Sequence, residues 1–254
     1  MLLNKITNKQ VKFIQSLKQK KYRQKYNKFT VEGSKIVKEL LEQLPSLVDY
    51  CIMTEAYAQS IQTWMSDSSS ILIANSKQME MMSQMKNAPS IIALSSVDED
   101  LELGAYAQKG RYLFLEQAQD PGNLGTIIRT AAWFGLDGVL LGKGSTELWN
   151  QKVIQASMGA IFKIPHKYVA LEELGDVGLP IISTSLQGDD LSNFKWPEGF
   201  ILCLGNEGKG ISNELSALAN SNVFIEAKEN KGAESLNVAA SASILLYSAQ
   251  IINN

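Results

Sequence analysis

Three short segments hold residue types that could work together on a substrate. The first, Asp120-Pro121-Gly122-Asn123-Leu124-Gly125-Thr126-Ile127-Ile128-Arg129, joins a chain-breaking turn to an amphipathic run. Asn123 is placed to cap a helix whose apolar face, at ~100° per residue, collects Leu124, Ile127, Ala131 and Phe134. Arg129 falls on the opposite side, near Trp133, one to two turns from the cap. The second segment, Gly205-Asn206-Glu207-Gly208-Lys209-Gly210, follows the apolar run Ile201–Leu204. Its glycines let the backbone approach a ligand closely, and Glu207 stands at the strand tip. In the third, Glu234-Ser235-Leu236-Asn237, Ser235 is expected to cap the last helix, with Asn237 in its first turn. Taken singly, each has an ordinary structural reading: a solvated arginine, a strand-to-helix turn, a helix start.

Other chemistries are thin. The chain has one histidine, His166, so Ser-His-Asp and Cys-His nucleophilic systems and His-rich zinc sites are excluded, and no metal is expected. His166 follows Pro165 at an expected strand end and reads as structural. Cys51 and Cys203 lie far apart among apolar neighbours and read as buried thiols of a reducing compartment. Gly142-Lys143-Gly144 has Glu147 where the third glycine of a dinucleotide loop belongs. The 205–210 loop has too few residues before its Gly-Lys pair for a Walker loop. No apolar run reaches the ~18 residues that span a bilayer, and the N-terminus lacks a secretory h-region, so a cytoplasmic protein is expected.

The elements that must carry these segments read as strands alternating with helices. Expected strands at 112–116, 138–142, 161–164, 180–184, 200–205 and 223–226 are separated by helices starting near 123, 148, 170, 211 and 235. That order implies a mostly parallel sheet covered on both faces, with ligands at the strands' carboxyl ends. Upstream, Val11, Ile14 and Leu17 repeat at helical spacing, and Phe29-Thr30-Val31 is strand-like. Ser34 can cap a helix striped by Ile36, Val37, Leu40, Leu41 and Leu44. Strands follow at 48–53, 71–74 and 91–95, with helices near 55–65 and 77–86, where Met79, Met81, Met82 and Met85 read mainly as core filling. Polar residues near 98–110 mark a boundary, giving an N-terminal domain over 1–105 and a second domain over 106–254.

Charge separates the same two regions. Residues 1–38 carry eleven Lys and Arg against one acid, Glu32, whereas the remaining chain carries 13 basic and 25 acidic residues. The formal net charge of −2 therefore hides a basic head on an acidic body. Lys20, Lys21, Arg23 and Lys25 interleave with Tyr22 and Tyr26, a pattern suited to phosphates and unpaired bases. Nucleic acid is the expected partner.

In this order, Asn123…Arg129, the Gly205–Gly210 loop and Ser235-Leu236-Asn237 resemble the three motifs of the SpoU (TrmH-like) RNA 2′-O-methyltransferases of the SPOUT class. Ala156-Ser157-Met158-Gly159-Ala160 and Phe29-Thr30-Val31-Glu32-Gly33 extend the likeness over nearly the whole chain. The resemblance implies a trefoil-knotted α/β methyltransferase domain behind a smaller α/β substrate-binding domain. It further implies S-adenosylmethionine as cofactor, RNA as substrate (ribosomal before transfer RNA) and a homodimer. By the family pattern Arg129, Asn123, Glu207, Ser235 and Asn237 form the catalytic set, while Gly205, Ile225 and Leu236 contact the cofactor. The stretch from Glu226 to Gly232 is more charged than the family's usual one. A tRNA enzyme, a SPOUT enzyme that methylates a base, and a non-catalytic RNA-binding or assembly factor that keeps the fold are the alternatives.

Overall fold

The computed structural model describes residues 4–61, 71–97, 106–228 and 232–251. The expected boundary at 105/106 touches residues outside that set, as do parts of the 55–65 and 226–232 stretches. The chain folds into two compact units, Met1–Asp100 with Leu148–Phe162, and Leu101–Glu147 with Lys163–Asn254.

The first unit opens with β1 (Asn4–Lys5), α1 (Asn8–Ser16), α2 (Lys20–Tyr26), β2 (Lys28–Glu32) and α3 (Ser34–Gln43). It continues with β3 (Val48–Met53), α4 (Glu55–Ser60), β4 (Ile71–Ile73), α5 (Ser76–Met82) and β5 (Ile91–Ser96). Thr7 and Gln10 close a capping box on α1, so two orphan amides are satisfied before its apolar face, Val11 and Ile14, turns inward. Gly33, not Ser34, occupies the cap position of α3, without a side-chain bond. The strands form a mixed sheet in the order β1-β4-β3-β5-β2. Met79 and Met82 enter its core, while Met81 and Met85 remain exposed.

The second unit contains β6 (Arg111–Leu115), α6 (Pro121–Trp133), β7 (Gly138–Leu141), β8 (His166–Tyr168), β9 (Ile181–Asp190), β10 (Phe200–Leu204), α8 (Asn213–Leu218), β11 (Ser221–Phe224) and α9 (Val238–Ile251). Its six strands are all parallel, in the order β11-β9-β10-β6-β7-β8. Central strands β6, β7 and β10 are buried on both faces, which explains their continuous rather than alternating apolar sequences. The tips of β6 and β10 lie side by side, Leu115 opposite Leu204, so the segments that follow them start as neighbours. Among the described residues no helix is long and apolar enough to cross a membrane.

Between β7 and β8, α7 (Gln151–Ser157) packs in the first unit. Trp149 stacks on Phe29 of β2 at 4.4 Å, and Gln155 Nε2 donates to the Glu32 carbonyl at 2.8 Å. The strand expected at 161–164 is instead a single 3₁₀ turn, Ala160–Phe162, and the strand begins at His166. A short apolar run does not distinguish the two by pattern. Here left-handed Met158 and Gly159 break the chain just before it, and Ile161 and Phe162 are buried all the same. His166 is buried, with Nδ1 3.3 Å from the Ile164 carbonyl.

Candidate active site

The helix that presents the first segment is capped three residues earlier than its pattern implies. Asp120 is the cap: its carboxylate accepts from the Asn123 amide at 2.8 Å, with Pro121 opening the helix. The Asn123 side chain is therefore released from capping. Its Nδ2 donates to Glu207 Oε1 at 3.4 Å, and its Oδ1 accepts from Asn237 Nδ2 at 3.0 Å. Asn237 in turn is the cap of α9, its Oδ1 accepting from the Ala239 amide at 2.8 Å. Ser235, expected as that cap, sits in a bend on the approach to the helix. One hydrogen-bonded line, Glu207–Asn123–Asn237, thus ties together three segments that lie far apart along the chain.

The 205–210 loop is closed by its own Asn. Asn206 and Gly210 exchange both backbone bonds at 3.0 and 2.9 Å, and Asn206 Oδ1 accepts from the Gly208 and Lys209 amides at 3.0 and 3.1 Å. Asn206 Nδ2 reaches across to the Gln117 carbonyl at 3.0 Å. A Cβ at Gly205 would overlap the Gly210 backbone, so only glycine lets the loop fold back this tightly. Asn206 lies outside the set of expected site residues. An Asn two residues before a Gly is an Asx-turn signal that could have found it.

These segments enclose a cleft of about 1040 Å³. Asn123, Glu207, Ser235 and Asn237 line it, together with Gly205, Ile225 and Leu236, the three expected cofactor contacts. Leu204, Ile211, Val223 and Leu245 supply apolar wall, and Ser183, Thr184 and Ser185 supply hydroxyls along β9. Thr184 Oγ1 donates to the Cys203 carbonyl at 3.1 Å, and Ser183 Oγ donates to the Asn222 side chain. Glu226, Ala227 and Gly232, from the unusually charged stretch, also line the cleft. Arg129 does not. Six residues beyond Asn123, about 9 Å along the helix axis, it lies exposed on the outer flank of α6, near Trp133, which is 83% exposed. Four of the five expected catalytic residues meet in one place and the arginine stands apart from them. Neither thiol is poised to react: burial pushes Cys51 up to about 12, and burial assisted by Glu116 raises Cys203 further.

The basic head resolves less uniformly than its sequence. Lys20, Lys21 and Lys25 are exposed on α2. Lys21 Nζ sits 4.8 Å from the Tyr22 ring centre and Lys25 Nζ 5.3 Å from that of Tyr26. Arg23 turns inward instead. It is 8% exposed, and its Nη1 donates to the Leu17 and Lys18 carbonyls at 2.7 and 2.9 Å. Its place in the expected RNA-binding set is corrected: the guanidinium satisfies carbonyls left over where α1 ends. Lys18 and Lys28 are also engaged, with the Ser83 carbonyl and with Asp49.

Residues 110–247 match the SpoU rRNA methylase family, and residues 8–93 match the MRM3-like substrate binding domain. The chain is 32% identical over 247 residues to the 23S rRNA (guanosine(2553)-2′-O)-methyltransferase RlmP of Bacillus subtilis, covering 94% of this chain and 95% of that protein. A TrmH-family structure from Porphyromonas gingivalis superposes with a TM-score of 0.84 at 32% identity, over 97% of this chain and 98% of that one. An AdoMet-bound rRNA methyltransferase from Sinorhizobium meliloti gives 0.81 at 26% identity, over 98% and 96% of the two chains.

Proposed function

Because the chain belongs to the SpoU rRNA methylase family, we propose that it transfers a methyl group from S-adenosylmethionine to a ribose 2′-hydroxyl of RNA, with ribosomal RNA as substrate. The observation that carries this reading is the hydrogen-bonded line Glu207–Asn123–Asn237 on a cleft that Gly205, Ile225 and Leu236 also line. RlmP is named for the same chemistry on 23S rRNA, which favours ribosomal over transfer RNA.

The cleft fits the cofactor: it offers apolar wall for a flat heterocycle, hydroxyls for a ribose, and loop backbone at Gly205, Ile225 and Leu236. S-adenosylmethionine, when bound, supplies a sulfonium-activated methyl group. Everything else falls to the protein. Glu207, fixed by Asn123 and the Asp120 amide, and Asn237, fixed at the start of α9, hold the rim where the ribose enters. Ser235 lines the same rim. The 2′-hydroxyl must shed its proton during transfer. The Arg129 guanidinium is a donor with no acceptor to offer, which suits it poorly to the task of a base. Its position outside the cleft suits a different task, gripping the RNA phosphate beside the reacting ribose and aligning it for attack.

The N-terminal part, about residues 1–105, presents RNA through Lys20, Lys21 and Lys25, and residues 106–254, apart from the Leu148–Phe162 stretch that packs with the first unit, carry out transfer. The working form is a homodimer. Trp133, Ile244 and Tyr247 expose apolar surface on α6 and α9, whereas Ala239 and Ala242 are spent on the core. The all-parallel order, with β10 between β6 and β9, is compatible with a knotted threading of the C-terminal segment. The test is incubation of the full chain with labelled S-adenosylmethionine and either ribosomal RNA or tRNA, followed by mapping of 2′-O-methyl positions. Label at a ribose of ribosomal RNA is expected. Cofactor binding with label on a base, or RNA binding without any transfer, would overturn the reading. Light scattering at micromolar protein should give the dimer mass.

A further inference from the structure

Among the described residues three non-glycines have positive φ: Asn27, Gln117 and Met158. Asn27 and Met158 end α2 and α7, where a left-handed residue is the ordinary way to stop a helix. Gln117 ends no helix. It stands at φ 57° just past β6, in a turn whose neighbouring positions are all tied down. The Glu116 amide donates to the Leu204 carbonyl at 2.9 Å, and the Glu116 carboxylate accepts from the Ser212 amide at 2.9 Å. The Ala118 amide donates to Ser145 Oγ at 3.1 Å, and the Ala118 carbonyl accepts from the Thr146 amide at 2.8 Å. The Gln117 side chain is exposed and lies toward Gly144, where a Cβ would come 3.6 Å from its Cγ. Its carbonyl is the group with a partner in the cleft: Asn206 Nδ2, at 3.0 Å.

We infer that Gln117 is a positioning residue that acts through its backbone conformation alone. The left-handed kink turns its carbonyl onto Asn206, and Asn206 then holds the Gly208 and Lys209 amides so that the 205–210 loop closes one side of the cleft. A non-glycine in this region of φ/ψ persists only where its surroundings over-determine it, and such residues cluster at ligand clamps. The inference rests on the reading of the cleft as the S-adenosylmethionine site.

A series at position 117 in the full chain separates backbone from side chain, with S-adenosylmethionine affinity read by calorimetry and KM and kcat read by methyl transfer. Gln117→Gly, which accepts positive φ freely, should bind as wild type does. Gln117→Ala keeps the same unbranched Cβ and should bind as wild type does, whereas β-branched Gln117→Val should weaken binding about tenfold, with KM for the cofactor rising and kcat at saturation little changed. Asn206→Asp keeps the acceptor and removes the donor to Gln117. It should weaken binding by itself, and adding Gln117→Val should then cost little more. If Gln117→Val does not fold, Gln117→Thr, β-branched but polar, decides by the same loss of affinity. Gly and Ala losing affinity or rate equally would assign the work to the side chain and overturn the inference. A flat series on a wild type that binds the cofactor would also overturn it. A wild type that fails to bind overturns the reading of the cleft, and this inference with it.

Discussion

The cleft and the α2 surface both gather polar residues, but they hold them in opposite ways. In the cleft, side chains are bonded to one another and to fixed backbone: Asn123 to Glu207 and Asn237, and Asn206 to Gln117, Gly208 and Lys209. On α2, Lys20, Lys21 and Lys25 point into solvent, and the ordered contacts of Lys21 and Lys25 are with the faces of neighbouring tyrosines. The first arrangement fixes geometry before a ligand arrives, as transfer chemistry needs. The second keeps charge mobile, as a partner that is bound by counterion release needs. Losing one group should therefore be costly in the cleft and gradual on α2.

The sharpest break should come at Asn123. Asn123→Ala severs the link from Glu207 to Asn237, and misplacement on this scale should lower methyl transfer by about a hundredfold. Single-turnover rates at saturating cofactor would check it, and a rate near wild type would make the line ornamental. Arg129→Ala comes next. It should cost more than about tenfold in rate, a barrier change of about 1.4 kcal/mol, while cofactor affinity stays within a few-fold because Arg129 lies outside the cleft. Parallel loss of cofactor binding would contradict that placement.

On the other side of the comparison, changing Lys20, Lys21 and Lys25 together to alanine should flatten the log–log salt slope of RNA binding by about two units, at roughly 0.7 per phosphate on single strands. The rate at saturating RNA should hold. Arg23→Ala, made alone, should leave that slope unchanged and instead lower stability by about 2 kcal/mol, since it abandons two backbone carbonyls. Urea unfolding and a salt titration on the same sample distinguish the two outcomes. The smallest effect belongs to the thiols. Folded Cys51 keeps its proton up to about pH 12, whereas an unfolded thiol releases it near 9. Its contribution to stability is therefore complete below pH 9 and falls away as pH rises between those values. Ellman's reagent at pH 8 should leave both native cysteines unmodified.

Much of the protein was legible in the residues themselves. Strands β6, β7 and β10 announced themselves as short apolar runs bounded by turns, because a strand buried on both faces has no polar side to display. The three site segments were found because Gly, Pro and Asn mark turns whatever the rest of the fold does. Local pattern failed wherever a distant partner decides. Asp120 and Asn123 are both good caps, and the chain chose the one that leaves Asn123 facing Glu207, 84 positions away. Ser235 and Asn237 competed in the same way, and Asn237 won the helix. Arg23 was indistinguishable in sequence from the lysines around it until α1 and α2 met and its guanidinium found the carbonyls of Leu17 and Lys18.

The sequence by itself determined the alternation of strand and helix, the turn chemistry of the site loops and the basic head, since periodicity, backbone preference and charge are properties of neighbours along the chain. Tertiary structure alone decided that Leu148–Phe162 packs with the first unit, that Ala160–Phe162 is a 3₁₀ turn rather than a strand, that Arg129 stands outside the cleft, and that Gln117 takes a positive φ with its carbonyl bonded to Asn206. Each of those depends on which buried groups must find hydrogen-bond and packing partners across the fold. That requirement is set only once the chain has closed on itself.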